Sequence, residues 1–158
     1  MELSIRAIEP KDLAAVVSLL REFAEFEKLS EYVEVTEESL WIAMFGESPV
    51  VEGLIVHNAE EAAGYALFYR NFSSFRGQLG LHLEDIYVKP EYRGRSIGEM
   101  MLREIASIAA DRGFERIDFN VLDWNQAAID FYFRHGAVRN DDERHFKFAG
   151  EAFRSLSF

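Results

Sequence analysis

The 158-residue chain contains no cysteine. That excludes a disulfide framework, a thiolate metal site and a cysteine nucleophile, and it suits a reducing cytoplasm. Proline is sparse, with three residues, and the ten glycines follow no period, so no repeat, linker or low-complexity tract is expected. No apolar run approaches membrane-spanning length, and the start Met1-Glu2-Leu3-Ser4 lacks the basic and apolar segments of a signal peptide. We therefore expect a cytoplasmic protein with no membrane partner. Basic residues are also scarce, 17 against 28 acids, which gives a net charge of −11 and argues against a nucleic-acid partner.

The acids are unevenly spread. Between Glu22 and Glu61 eleven glutamates face one basic residue, Lys28. Such a tract either solubilises a surface or attracts a cationic small molecule. The four histidines, His57, His82, His135 and His145, lack metal-ligand spacing, so no metal is expected. Neither a Gly-x-Ser-x-Gly elbow nor a Gly-x-x-x-x-Gly-Lys-Ser/Thr loop occurs. At 49% hydrophobic the chain can build one core, and we expect a single domain over residues 1–158.

Ile5 begins a short strand, and Pro10 precedes a helix whose apolar face is Leu13, Val16, Val17, Leu20 and Phe23. Thr36 is placed to cap a second helix carrying Leu40, Met44 and Phe45. Val50–His57, Ala63–Phe72, Leu81–Val88 and Arg116–Leu122 read as strands, and His145–Phe148 as a last one. A helix spans about Ile97–Arg112, with Ile97, Met101, Ile105 and Ile108 at helical spacing and Gly113 as its stop. Asn125 can cap another helix, carrying Ala128, Phe131 and Tyr132, which Gly136 ends. Strands followed by β-α-β-α-β give a three-layer α/β/α domain.

The most informative stretch runs Leu83-Glu84-Asp85-Ile86-Tyr87-Val88-Lys89-Pro90-Glu91-Tyr92-Arg93-Gly94-Arg95-Ser96-Ile97-Gly98. A strand with two acids passes through a basic, glycine-bearing loop into a helix start, where free N–H groups and the positive helix end favour a pyrophosphate. This segment resembles the acyl-CoA signature Arg/Gln-x-x-Gly-x-Gly/Ala of the GNAT acetyltransferase superfamily. Arg93 and Gly98 match its ends, while Ser96 stands where the middle glycine is usual. Leu83 to Val88, Tyr92-Arg93-Gly94, Trp124-Asn125 and Phe131-Tyr132 before Gly136-Ala137 resemble its diamine (spermidine/spermine) acetyltransferase branch. A mostly antiparallel mixed sheet, with Leu81–Val88 and Arg116–Leu122 as parallel strands that splay at the cofactor, is what this resemblance implies.

The resemblance also implies an enzyme that transfers acetyl from acetyl-CoA to a primary amine of a small cationic substrate, and with no cysteine nucleophile for an acyl-enzyme we expect direct attack in a ternary complex. The acceptor would be a diamine, a polyamine or a lysine-like amino acid. A lysine-like ammonium, with a pKa of about 10.4, must lose a proton before it attacks. Glu84 is the expected base, raised by burial between Leu83 and Ile86, with Asp85 a structural acid or second relay member unless a bulge turns it inward. Tyr132 is the expected acid for the leaving thiolate, although Phe131-Tyr132-Phe133 on an amphipathic helix also reads as core packing. Ile86 N–H is the positional candidate for the oxyanion.

Ile86, Tyr87 and Val88 would border the cofactor, with Arg93, Gly94, Arg95, Ser96, Ile97 and Gly98 at its pyrophosphate and Asn125 as a further contact. Phe26, Glu27, Glu84 and Asp142 would meet the amine, Phe26 offering a ring face to a cation. His82, two residues before Glu84, is a candidate for a minor relay. A homodimer is implied as well, with Phe153 and Phe158 as contributors. The competing readings are an acetyltransferase of protein lysine or α-amino groups and a non-catalytic acyl-CoA-binding module.

Overall fold

Asp12 organises the N-terminal turn, and it does so from a buried position. The computed structural model describes residues 2–157, so Phe158 lies outside the described residues. Strand β1 (Leu3–Ala7) delivers Arg6, whose Nη1 and Nη2 donate to the Asp12 carboxylate at 2.6 and 2.8 Å. The N–H of Glu9 adds a third bond at 2.8 Å, so the carboxylate is paired as well as desolvated. Pro10 opens a single 3-10 turn that leads into helix α1 (Leu13–Phe26).

Helix α1 buries Leu13, Val16, Val17 and Leu19, while Leu20 and Phe23 pack at the margin of the same cluster. Helix α2 (Glu37–Phe45) starts at Thr36, whose Oγ1 accepts from Ser39 N–H, and buries Leu40 and Met44. Strands β2 (Glu52–Asn58), β3 (Glu61–Ser73) and β4 (Gln78–Val88) follow. Helix α3 (Ile97–Asp111) buries Ile97, Met101, Ile105 and Ala109, a stripe at i, i+4, i+8 and i+12. Strand β5 (Ile117–Phe119) completes a sheet in the order β1-β2-β3-β4-β5.

The first three pairings are antiparallel and β4–β5 is parallel, so the sheet is mixed and mostly antiparallel. One apolar cluster joins Phe68, Leu81 and Leu83 to α3, and the other joins Ile55, Tyr65 and Leu67 to α1 and α2. Helices thus cover both faces of the sheet, as a three-layer arrangement requires. The chain continues into α4 (Gln126–Arg134) and the short α5 (Gly150–Leu156). Residues 1–120 and 121–158 form two compact units.

Three boundaries differ from expectation. β4 begins at Gln78 because the long β3 partner extends the hairpin ladder to Ser73. β5 is limited to the three residues that pair with Leu81–Leu83, and it forms one edge of the sheet among the described residues. The strand expected at His145–Phe148 does not form, since an apolar alternation makes a strand only when a neighbour supplies its hydrogen bonds. α5, which makes its own bonds, is the last regular element. Among the described residues no helix is long and apolar enough to cross a membrane.

Candidate active site

A bulge in β4 decides what the site contains. Leu83 lies opposite Phe68 and Asp85 opposite Leu67, so Glu84 is an extra residue with no partner across the ladder. Simple alternation from Leu83 would send Asp85 and Tyr87 to the α3 face. The bulge reverses the phase. Ile86 and Val88 pack with the α3 cluster instead, while Tyr87 joins the cluster of α1 and α2.

Asp85 therefore turns inward, and its Oδ2 accepts from the Tyr65 hydroxyl at 3.1 Å. Desolvation pushes the Asp85 carboxyl up to about 6, the Tyr65 bond draws it back partway, and the charges of Glu84 and Glu27 raise it further. Burial likewise pushes the Tyr65 phenol up, well beyond its ordinary value. Glu27, the cap residue at the C-terminus of α1, is also raised by desolvation. Glu84 and Glu27 thus both bear on Asp85. Glu84 itself is not buried between Leu83 and Ile86; its side chain is 57% exposed and lies 3.6 Å from His82 Nε2.

The same bulge marks where the sheet opens. β4 and β5 pair at Leu81–Ile117, His82–Asp118 and Leu83–Phe119, and there the ladder stops. Asp85 to Val88 continue with β3 as their only strand partner among the described residues. The open side of this stretch carries the Ile86 backbone groups, which an amide-bearing chain can satisfy as an added strand would, while Val88 O is taken by a side chain of the loop that follows.

Beyond Val88 the chain makes one 3-10 turn, Pro90–Tyr92, and enters the basic loop. Gly94 has φ +73°, with no atom within 4 Å of an added Cβ. Ser96, the N-cap of α3, is also left-handed at φ 60°, and its side chain caps nothing. The Ser96 side chain thus takes none of the first N–H groups of this 15-residue helix, and a helix start is the kind of place that receives an anion. These features fit a pyrophosphate and an amide-bearing arm.

The arginines take other partners. Arg93 Nε donates to Val88 O at 2.9 Å, and its guanidinium lies 4.8 Å from the Phe26 centroid and 5.6 Å from that of Tyr87. The cation against the Phe26 ring is thus Arg93, a residue of the chain itself. Arg95 stands 5.8 Å from the Tyr92 ring.

In the second unit, Asn125 Oδ1 accepts from Ala128 N–H at 3.2 Å and caps α4 as its position suggests. Tyr132 is buried, with its ring 5.2 Å from Phe131, and Gly136 at φ +86° ends the helix region. Asp142 is exposed, and its N–H donates to Asn140 Oδ1 at 3.2 Å. Trp124 is half exposed.

Two participants escape sequence reasoning, Tyr65 and Asp118. Tyr65 faces Asp85 only because of the bulge. Asp118 meets His82 only through the parallel register, with Oδ1 2.6 Å from Nδ1. Neither relation leaves a local signal. Among the described residues no group of three His, Asp or Glu side chains is arranged to hold a metal ion.

The comparisons agree with this geometry. Residues 13–137 match the Acetyltransferase (GNAT) family. The chain is 38% identical over 164 residues to the thialysine N-epsilon-acetyltransferase of Bos taurus, covering 97% of this chain and 96% of that one. It is 32% identical over 141 residues to the spermidine/spermine N(1)-acetyltransferase-like protein 1 of Homo sapiens, covering 85% of this chain but 20% of the human one. An integron cassette protein from the mobile metagenome of V. cholerae shares the fold, with a TM-score of 0.83 at 20% identity over 99% of this chain and 98% of that one. With most of its length matched and a relative aligned along nearly all of both chains, this protein belongs to the GNAT acetyltransferase family, and is an enzyme that acetylates an amine with acetyl-CoA as cosubstrate.

Proposed function

We propose that the acceptor is a small cationic amine, a lysine-like amino acid, diamine or polyamine, and that it attacks directly in a ternary complex. The observation that carries this reading is the trio of carboxyl groups Glu27, Glu84 and Asp85 around the unpaired end of β4. Burial raises two of them, and an ammonium brought among them relieves their mutual repulsion. The names of the bovine and human relatives, which specify thialysine and spermidine/spermine, agree with this charge pattern.

Acetyl-CoA supplies the acetyl group as a thioester. The amides from Gly94 to Gly98 and the start of α3 hold its anionic part, and the free edge of Ile86 to Val88 receives its arm. Glu84 takes the proton of the bound ammonium, directly or through a water, and Asp85 with Tyr65 fixes the charge balance behind it. Tyr132 keeps a proton on its Oη for the departing sulfur; its support is the spacing from the Asn125 cap and the family match. Ile86 N–H serves the developing oxyanion. The protein acts as a homodimer in the cytoplasm, and the exposure of Phe153 is compatible with an interface.

A thiol-release assay over an amine panel tests the reading. Lysine analogues, ornithine, putrescine and spermidine should each release CoA faster than a lysine-bearing peptide. Turnover confined to the peptide would reassign the acceptor, and none with any amine would remove the catalytic reading.

A further inference from the structure

Next to the three carboxyl groups, on the paired side of the bulge, a second polar group runs across the sheet. His82 Nδ1 lies 2.6 Å from Asp118 Oδ1, and its Nε2 lies 3.6 Å from Glu84 Oε2. The Tyr69 ring covers the imidazole, with centroids 5.0 Å apart and planes 32° apart. Asp118 Oδ2 is held in turn by Asn71 Nδ2 at 2.7 Å and faces Arg116 Nη2 at 3.3 Å. Gly80 permits this crowding, since an added Cβ would stand 2.9 Å from Arg116 O and 3.1 Å from Asn71 Oδ1.

Asn71 and Arg116 both approach Oδ2, which leaves Oδ1 to the imidazole, and a carboxylate oxygen can only accept. The hydrogen between it and the imidazole therefore belongs to Nδ1. This fixes the tautomer and leaves Nε2 as the exchangeable nitrogen of His82, turned toward Glu84. At 3.6 Å the Glu84 contact is too long for a direct hydrogen bond but short enough for an ion pair or a small approach.

We infer that His82, locked by Asp118, is a positioning residue that relays the proton collected by Glu84. The inference rests on the proposed role of Glu84. One proton moves at each step and no other bond changes: from the substrate ammonium to Glu84, from Glu84 Oε2 to His82 Nε2, and from Nε2 to water. The titratable and charged groups that face His82 are Glu84 on its own strand, Tyr69 on β3, and Asp118 with Arg116 behind it on β5.

The test has two independent readouts. In wild-type protein with 15N-labelled histidine, long-range nitrogen–proton correlation at alkaline pH should show His82 with hydrogen on Nδ1. Hydrogen on Nε2 overturns the proposal without any activity measurement.

The second readout is kcat against pH at saturating acetyl-CoA for wild type, His82→Gln, Asp118→Asn and Glu84→Gln. Both His82→Gln and Asp118→Asn should lower kcat by about 10- to 100-fold. They should also move the acid limb of the profile while leaving KM for acetyl-CoA unchanged. In Asp118→Asn the amide NH2 turns to Nδ1, because Asn71 still donates to the other atom, so the tautomer reverses. Profiles that superimpose on wild type after scaling would make His82 a merely structural residue and overturn the relay. A fully active Glu84→Gln would instead remove the reading on which the relay rests, and no turnover with any amine would overturn both.

Discussion

Replacing Asp85 by Asn should stabilise the protein, and more so as the pH rises. Asp85 stands at about 6 in the fold against an ordinary 3.8. A group raised in the folded state contributes its full share below the unfolded value, and that share is lost as pH climbs through the folded value. Between about pH 4 and 6 the native chain therefore binds more protons than the unfolded chain, and wild-type stability falls with pH from this source. Two pH units at about 1.36 kcal/mol each give roughly 3 kcal/mol, and residual solvent contact at the edge of Asp85 trims this to about 2 kcal/mol.

The amide introduced by Asp85→Asn keeps an acceptor for the Tyr65 hydroxyl and carries no charge. The stability difference between Asp85→Asn and wild type, from urea titrations, should grow by about 2 kcal/mol between pH 4 and pH 7, then level. Other carboxylates titrate in the same range, but they cancel in the difference. A difference that stays flat, or shrinks with pH, would refute the claim that Asp85 is a desolvated acid. Because Glu84 and Glu27 add to the rise, a diamine should raise the melting temperature of wild type more at pH 8 than at pH 5. That gain should be smaller in Asp85→Asn.

Ser96→Gly should stabilise the fold by about 0.5 to 1 kcal/mol, read as a melting temperature a few degrees higher, because φ 60° burdens serine but not glycine. Arg6→Met should cost about 2 to 4 kcal/mol in urea titrations at neutral pH, since it strands the buried Asp12 carboxylate. The Arg6 hydrogen bonds hold Asp12 below its ordinary value, so this loss should fade as pH falls through the Asp range. Tyr132→Phe should lower kcat about 100-fold with little change in KM for acetyl-CoA; an unchanged rate would take Tyr132 out of the chemistry.

Much of the fold is written in periodicity and caps. The i, i+4 stripe of Ile97, Met101 and Ile105 identifies α3, Thr36 and Asn125 cap their helices, and Gly113 and Gly136 take the positive φ their positions suggest. What could not be read was anything set by a partner at long range. The start of β4 follows the reach of β3, and the shortness of β5 follows the end of its pairing with Leu83. His145–Phe148 has strand-like alternation, yet it joins no ladder of the described sheet.

The site repeats this division at finer scale. The adjacency of Glu84 and Asp85 is visible in the chain, and so is their place just before a basic loop and a helix start. Which of the two is buried is not, because that depends on one extra residue between Leu83 and Asp85. Burial was expected for Glu84, and it falls to Asp85, against Tyr65. The exchange has a chemical logic. A fully buried base would be desolvated but could not be reached by the amine or emptied to water, whereas a fully exposed one would hold its proton too weakly. Splitting the two properties gives an accessible Glu84 and, beside it, a desolvated Asp85 on which its charge bears. The bulge also coincides with the end of the β4–β5 ladder, at Leu83. One irregularity in one strand thus exposes one acid and buries the other, at the point where the β4–β5 pairing ends. Deleting Glu84 would restore regular alternation with Asp85 and Tyr87 still on the face of α1 and α2, and would leave one acid where two now stand.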